Sequence, residues 1–324
     1  MRILISTPWL GGIGGVERNV ACTIRALADD HVDVCARHVI RSEYLVRPQH
    51  GKVWHPARWL RPHDKRKILS RVWPPVHQLL RPRQPPYDLY LQYAYGRDVR
   101  DRFSARCSML RTSGKDVRDV ETTYDYVALD APGNSSLIGA GANPVLLPPP
   151  LEPMAASSIA VTGLPSRYFL TVFNSHASSK GGDILARHAR RLPLPVVWCW
   201  SGRWGRRNDI PSVDNLIPLE SVSQGQLRFL YEHCAAYVSF SRSESFGWAI
   251  ADALQYGAPV FSRQVGILTY PDLDLRGVHV YSSESELVDL VATPPEEKYQ
   301  RDLAQLSPGM FRCRLHELLA TTAG

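Results

Sequence analysis

The 324-residue chain has no apolar run approaching the ~18–20 residues that a membrane-spanning helix needs. Its opening, MRILISTPWLGG, carries one Arg and too short an apolar stretch for a signal peptide, so it reads as the first strand of a domain. The 6 cysteines, at 22, 35, 107, 199, 234 and 313, lack CxxC spacing, which argues against a disulfide framework or a zinc ribbon and for reduced thiols in a cytosol. No period of about 20–50 residues recurs, which excludes a solenoid or propeller. The Asp272-x-Asp274 pair lies in a late loop, so no D-x-D element is placed to hold a metal. With 44% hydrophobic and 21% charged residues the chain is globular, and its length suits two domains.

What is abundant is positive charge in one place. The net charge is +7. Residues 41–83 hold eleven Lys and Arg against Glu43 and Asp64, so that stretch carries +9 and the remainder −2. The same stretch is rich in Pro and carries Trp54, Trp59 and Trp73. It reads as a basic insert, 41–86, either a solvated face or a surface for an anionic partner. Basic residues with Trp suit an anionic lipid interface, and peripheral contact at the inner face of a membrane is the expectation kept beside a cytoplasmic location. Nucleic acid is not expected, because no nucleic-acid module accompanies the charge.

The rest alternates strand and helix. RILIS (2–6) reads as a buried strand, GGIGG (11–15) as a turn, and the following VERNVACTIRALADD as a helix, with Val16, Val20, Ile24 and Leu27 at helical spacing. Strands are expected over 32–39, 87–93, 105–110 and 126–129. A helix is expected over 65–72, ended by Pro74-Pro75. PVLLPPPLEP (144–153) is extended and marks the domain boundary. Beyond it, strands over 168–173, 196–200, 215–218, 236–241 and 260–262 alternate with helices over 184–191 and 223–234 and one within 244–256. The fold class is therefore α/β, with two Rossmann-like doubly wound domains facing a cleft. The expected division is 1–152, 153–306 and a C-terminal helix within 307–324 that follows a helix-breaking Pro308.

The stretch SESFGWAIADALQYGAPV (243–260) carries the sharpest chemistry. An acid, Glu244, ends a strand; Gly247 follows; a helix opens; a second acid, Asp252, sits inside it. Backbone N–H groups near Phe246 and Gly247 at the helix opening form a candidate anion site, and Gly247 lets a phosphate approach the backbone. Trp248 and Asp252 are four apart and share a helix face, so Asp252 could accept from two neighbouring sugar hydroxyls. Glu244, in the turn above, could meet a second polyol. The plain alternative is a helix capped by Glu244 with Asp252 as surface charge.

This stretch resembles the E-x7-E element of retaining GT-B glycosyltransferases, in particular glycosyltransferase family 4. The matched residues are Ser241, Glu244, Phe246, Gly247, Ala253, Gly257, Pro259 and Val260, with departures at Ser245 for Gly and Asp252 for the second Glu. GGIGGVER (11–18) is similar to the family's first Gly-rich loop, and Lys180-Gly181 to its phosphate-gripping R-x4-K-G element, in which Ser175 here replaces Arg. Arg203 or Arg242 is the candidate substitute cation. Many family members carry a His in a central loop of the first domain; Met109–Lys115 here has none, and Thr112, Ser113 or Gly114 is expected in its place. His176, beside Lys180, is a candidate phosphate contact. The C-terminal helix, 311–319, is similar to the tail that crosses back to the first domain.

The resemblance implies a retaining, metal-independent transferase with no cofactor beyond its co-substrate, a UDP- or GDP-type nucleotide sugar. The acceptor would be a glycan, lipid-linked or small-molecule hydroxyl. Glu244 and Lys180 would be catalytic. Gly14, Gly15, Ser175, His176, Arg203, Ser245, Phe246, Gly247, Trp248 and Asp252 would face the donor, and Glu17, Ser113 and Gly114 the acceptor side. Two other classes stay open: a non-catalytic glycosyltransferase-like binding subunit, and a nicotinamide-dependent oxidoreductase based on Gly12-x-Gly14. In the latter, Glu17 would crowd the pyrophosphate and no acid ends the second strand.

Overall fold

The computed structural model describes residues 1–12, 14–40, 45–54, 85–94, 96, 98–100, 103–174, 178–200 and 213–322. Most of the basic insert, including the helix expected over 65–72, Trp59 and Trp73, lies outside these residues.

The chain divides into two compact units. The first comprises Met1–Leu129, Leu137–Pro150 and Phe311–Gly324; the second comprises Asp130–Ser136 and Leu151–Met310. The short excursion at 130–136 is absent from the sequence-based division.

The first unit is built on a parallel sheet of β1 (Arg2–Leu10), β2 (His31–Val39), β3 (Val53–Trp54), β4 (Tyr87–Tyr93), β5 (Ala105–Arg111), β6 (Tyr126–Leu129) and β7 (Pro144–Leu146), in the order β3-β2-β1-β4-β5-β6-β7. Alternate side chains of β1 enter different cores. Ile3 and Ile5 join a cluster with Val20, Ile24 and Leu27, while Leu4 joins Cys35, Tyr90 and Leu110 on the other face. This burial on both faces is what a parallel sheet requires. Helix α1 (Gly15–Ala26) follows β1 directly, and its Val20 and Ile24 supply the apolar stripe. The strand expected to stop at residue 6 runs to Leu10, because it pairs with β2 as far as Leu10 opposite Val39.

The second unit holds a parallel sheet of β8 (Phe169–Val172), β9 (Val196–Trp200), β10 (Leu216–Glu220), β11 (Ala236–Val238), β12 (Val260–Ser262) and β13 (Val278–Val280), in the order β10-β9-β8-β11-β12-β13. Its helices are α2 (Gly182–His188), α3 (Gln224–His233), α4 (Trp248–Gln255) and α5 (Glu284–Val291). The expected helix 184–191 is shorter in its α part and finishes as a 3-10 turn over Ala189–Arg191. Helix α3 begins with a capping box: the Ser223 hydroxyl accepts from Gln226 N–H, and the Gln226 amide oxygen accepts from Ser223 N–H. The sheet is again two-faced, with Val197 and Cys199 in one core and Val196, Trp198 and Trp200 in the other. Both sheets follow the doubly wound pattern read from the sequence.

The last helix, α6 (Pro308–Thr322), corrects one expectation. Pro308 opens the helix rather than breaking it. At the first helical position its missing N–H costs nothing and its fixed φ fits. Phe311 and Leu315 are buried in the core of the first unit, beside α1. All six cysteines are free, five of them buried and Cys313 exposed. Among the described residues no helix is long and apolar enough to cross a membrane.

Candidate functional site

In the second unit two strand-to-helix loops converge. The first follows β8 and ends in a 3-10 turn, Ser178–Lys180, before α2. The second follows β11 and ends at Gly247, before α4. Two contacts hold them together. Gly181 is left-handed at φ +72°, and a Cβ there would lie 2.0 Å from the Phe240 carbonyl oxygen, so only glycine fits. The Arg242 N–H donates to the Ser179 carbonyl at 2.7 Å.

This junction brings Lys180 to Glu244. Lys180 Nζ donates to Glu244 Oε2 at 2.6 Å, and Ser241 Oγ donates to Glu244 Oε1 at 2.7 Å. Lys180 and Glu244 keep 32% and 14% of their side-chain surface, so the pair is reachable. An ion pair so exposed contributes only about 0–1 kcal/mol to stability.

Three residues beyond Glu244, Gly247 is left-handed at φ +83° and caps α4 with no side-chain cap. The Phe246 ring is buried and meets Trp248 edge-on at 5.0 Å. Asp252 is 2% exposed, so the reading of it as surface charge is wrong. The Tyr237 hydroxyl sits within electrostatic reach of both Glu244 and Asp252: burial first, and then these two charges, hold its pKa well above the usual phenol value. Tyr237 was not among the candidates. A tyrosine in a short buried strand reads as core, and only the fold places it beside both acids.

Arg242, a candidate substitute cation, is engaged elsewhere. Its guanidinium makes two bonds to Asp183, at 2.7 and 2.6 Å. Asp183 also pairs with Arg187, and Arg187 and His188 both reach Glu284. The Arg242 hydrogen bond, ahead of that from Arg187, holds the Asp183 carboxyl below the usual carboxylate range. Ser175, His176 and Arg203 lie outside the described residues.

The remaining candidates belong to the first unit. At the opening of α1 the Glu17 carboxylate folds back over the Gly-rich loop. A Cβ on Gly12 would lie 2.7 Å from Glu17 Oε1, and one on Gly14 would lie 2.3 Å from Oε2. Glu17 is 7% exposed; burial raises its pKa, and the hydrogen bond from its own N–H partly offsets this. Its carboxylate therefore covers the loop in which Gly14 and Gly15 were expected to meet phosphate. After β5, Ser113 and Gly114 are both left-handed, at φ +48° and +79°, in a turn closed by Lys115 N–H to the Thr112 carbonyl at 2.9 Å. The buried Ser113 and Thr112 hydroxyls have no hydrogen-bond partner. A serine held at positive φ stores local backbone strain, as Ser221 does at φ +55°. Among the described residues no group of three or more His, Cys, Asp or Glu side chains could hold a metal.

No family model matches the sequence, and no curated protein matches it. Solved structures do match along the whole chain. Anabaena HepE, solved in complex with UDP and glucose, is 12% identical, with a TM-score of 0.69 over 99% of this chain and 100% of that one. Sucrose-phosphate synthase from Thermosynechococcus elongatus is 14% identical, with a TM-score of 0.63 over 98% of each chain. AviGT4, a glycosyltransferase involved in avilamycin A biosynthesis, is 14% identical, with a TM-score of 0.61 over 98% of this chain and 97% of that one. The fold is the GT-B fold of these glycosyltransferases.

Proposed function

We propose that this GT-B chain is a nucleotide-sugar-dependent glycosyltransferase, and that it retains anomeric configuration without a metal ion. The observation that carries the reading is the Lys180–Glu244 pair, 2.6 Å apart, in which Glu244 lies on the loop that opens α4 through a left-handed Gly247 and Lys180 on the loop that opens α2. An ammonium has three donors, of which Glu244 takes one. The others serve the diphosphate of the donor. Backbone N–H groups at Phe246 and Gly247 add positive dipole without a mobile cation. The Glu244 carboxylate accepts from sugar hydroxyls, and Asp252 faces the ribose.

The reaction breaks the bond between the anomeric carbon and the phosphate oxygen and forms one to the acceptor oxygen on the same face. The acceptor proton passes to the departing phosphate oxygen. Catalysis then rests on charge stabilisation at the leaving group, supplied chiefly by Lys180. The absence of a His at Met109–Lys115 is compatible with this, since no protein base is required. Ser113, Gly114 and Glu17 of the first unit are assigned to the acceptor side. The donor is of UDP or GDP type, the acceptor a glycan, lipid-linked or small-molecule hydroxyl, and the basic insert 41–86 a membrane contact. The neighbour solved with UDP and glucose supports the class of donor.

One observation favours a second reading, a binding subunit with little turnover. With Ser175 in place of Arg, and Arg242 committed to Asp183, Lys180 is the one motif cation that the described residues offer to phosphate. A thermal-shift screen with UDP, GDP, ADP, CMP, dTDP and NAD(H), with and without EDTA, tests the proposal. At about 100 times its Kd a ligand adds roughly 2.7 kcal/mol. A shift with one nucleoside diphosphate, indifferent to EDTA, is the expected result. A shift only with NAD(H) or with none of them overturns it.

A further inference from the structure

Ser245, the residue at which the chain departs from the Gly of the resembling motif, has a use that the departure alone does not suggest. Its hydroxyl donates to Asp130 Oδ2, and its carbonyl accepts from Asn134 Nδ2 at 2.6 Å. Asp130 and Asn134 are 2% and 5% exposed and lie in the excursion 130–136, which belongs to the second unit although the chain on either side belongs to the first.

That excursion is itself anchored. The Asp130 carbonyl accepts from the Tyr270 hydroxyl at 2.9 Å, and the Gly133 N–H donates to Thr269 Oγ1 at 3.0 Å. Thr269 belongs to the turn Gly266–Thr269, whose Ile267 N–H donates to the Phe246 carbonyl at 2.7 Å. Gly266 must be glycine for this approach, since a Cβ would lie 2.4 Å from the Phe246 oxygen.

The consequence follows from the planarity of the peptide group. In a trans peptide the C=O and the next N–H point in opposite directions. Asn134, gripping the Ser245 carbonyl, therefore fixes the direction of the Phe246 N–H. Ile267, gripping the Phe246 carbonyl, fixes the direction of the Gly247 N–H. These are the two donors assigned above to the diphosphate. We infer that Asp130 and Asn134 are positioning residues that aim the Phe246 N–H, acting through Ser245, beside the turn whose Ile267 aims that of Gly247; their effect on ligand binding rests on the proposed function. Donors fixed in advance need no reorganisation when charge arrives. The Ser245 side chain gives the loop a tether that glycine cannot.

The test uses the full chain. Asn134→Asp keeps the side chain's size but sets an acceptor against the Ser245 carbonyl. Asp130→Asn retains an oxygen for the Ser245 hydroxyl, and Ser245→Ala removes that hydroxyl. Hydrogen exchange across residues 243–250 is compared with melting temperature and with UDP affinity by calorimetry. Asn134→Asp and Ser245→Ala are expected to exchange there about tenfold faster with little change in melting temperature, and Asp130→Asn to restore protection close to wild type. UDP affinity should fall about tenfold in Asn134→Asp. Unchanged exchange in both Asn134→Asp and Ser245→Ala overturns the inference, as does wild-type UDP affinity in Asn134→Asp. Should Asn134→Asp fail to fold, Ser245→Ala decides by the same readout. If the wild-type protein binds no nucleoside diphosphate, the proposed function fails while the exchange comparison still judges the positioning.

Discussion

Lys180 and Glu244 stand 64 positions apart in the chain, yet their charged ends meet at 2.6 Å where the loops after β8 and β11 converge. A part-exposed pair of this kind contributes little to the stability of the fold. Removing either is expected to disable the site and spare the scaffold. Lys180→Ala and Glu244→Ala should each lower transfer at least about tenfold, with melting temperatures within a few degrees of wild type. Steady-state kinetics paired with thermal unfolding checks both. Wild-type rates in both variants would remove the pair from the mechanism.

Asp252 is expected to matter through charge rather than shape. Asp252→Asn preserves volume and should weaken UDP binding by about tenfold, because a hydrogen bond from a sugar hydroxyl to a carboxylate is worth about 1.5–3 kcal/mol. Isothermal titration with UDP measures it, and an unaltered Kd would take Asp252 out of the ribose role.

Glu17 gives a pH-dependent prediction. Its folded-state pKa lies above the ordinary 4.5, because burial disfavours the charged form. The folded state then holds the proton to a higher pH than the unfolded chain does. Stability therefore declines as pH rises through that window and stays lowered above it. Glu17→Gln should raise the melting temperature at pH 7.5, with the advantage vanishing towards pH 4. A constant difference across this range would contradict the assignment.

The Asp183 network has the opposite sign. Arg242 holds the Asp183 carboxyl low, and Arg187 does the same for Glu284. Their contribution is complete above the unfolded carboxylate values of about 4 and is lost as pH falls below them. Since both groups face solvent, the effect is modest. Arg242→Ala should make the protein less stable at pH 6, with a smaller deficit at pH 2.5, as read from melting curves at the two pH values.

Phe311 is 1% exposed in the core of the first unit. Phe311→Ala should cost about 3–5 kcal/mol, by lost transfer energy and an unfilled cavity. Denaturant unfolding followed by near-ultraviolet dichroism would register the loss, and a change under about 1 kcal/mol would mean that the helix is not integral to that unit.

The parallel strands were legible because buried β-branched and aromatic runs between turns have few other uses. The strands Tyr87–Tyr93 and Val196–Trp200 match their expected bounds. Ser223 and Gly257 mark helix ends by side-chain and backbone chemistry that acts locally. Glu244, Gly247 and Lys180 were legible as a motif, because spacing along a strand, loop and helix survives in the sequence. Asp130, Asn134 and Tyr237 were not. Asp130 and Asn134 bond to a loop 115 and 111 positions away, and nothing local distinguishes Asp130-Ala131-Pro132 from an ordinary turn, while Tyr237 in its short buried strand reads as core. Pro308 was misread because proline breaks a helix only from its interior.

The membership of Phe311 and Leu315 in the first unit has a consequence for biosynthesis. The core that β1 begins is finished by residues translated after the whole of the second unit. At about 5–20 residues per second, roughly 15–60 seconds separate the two. During that interval the second unit is synthesised, and the core of the first lacks Phe311 and Leu315. The second unit, though it begins later, has its residues complete before those of the first.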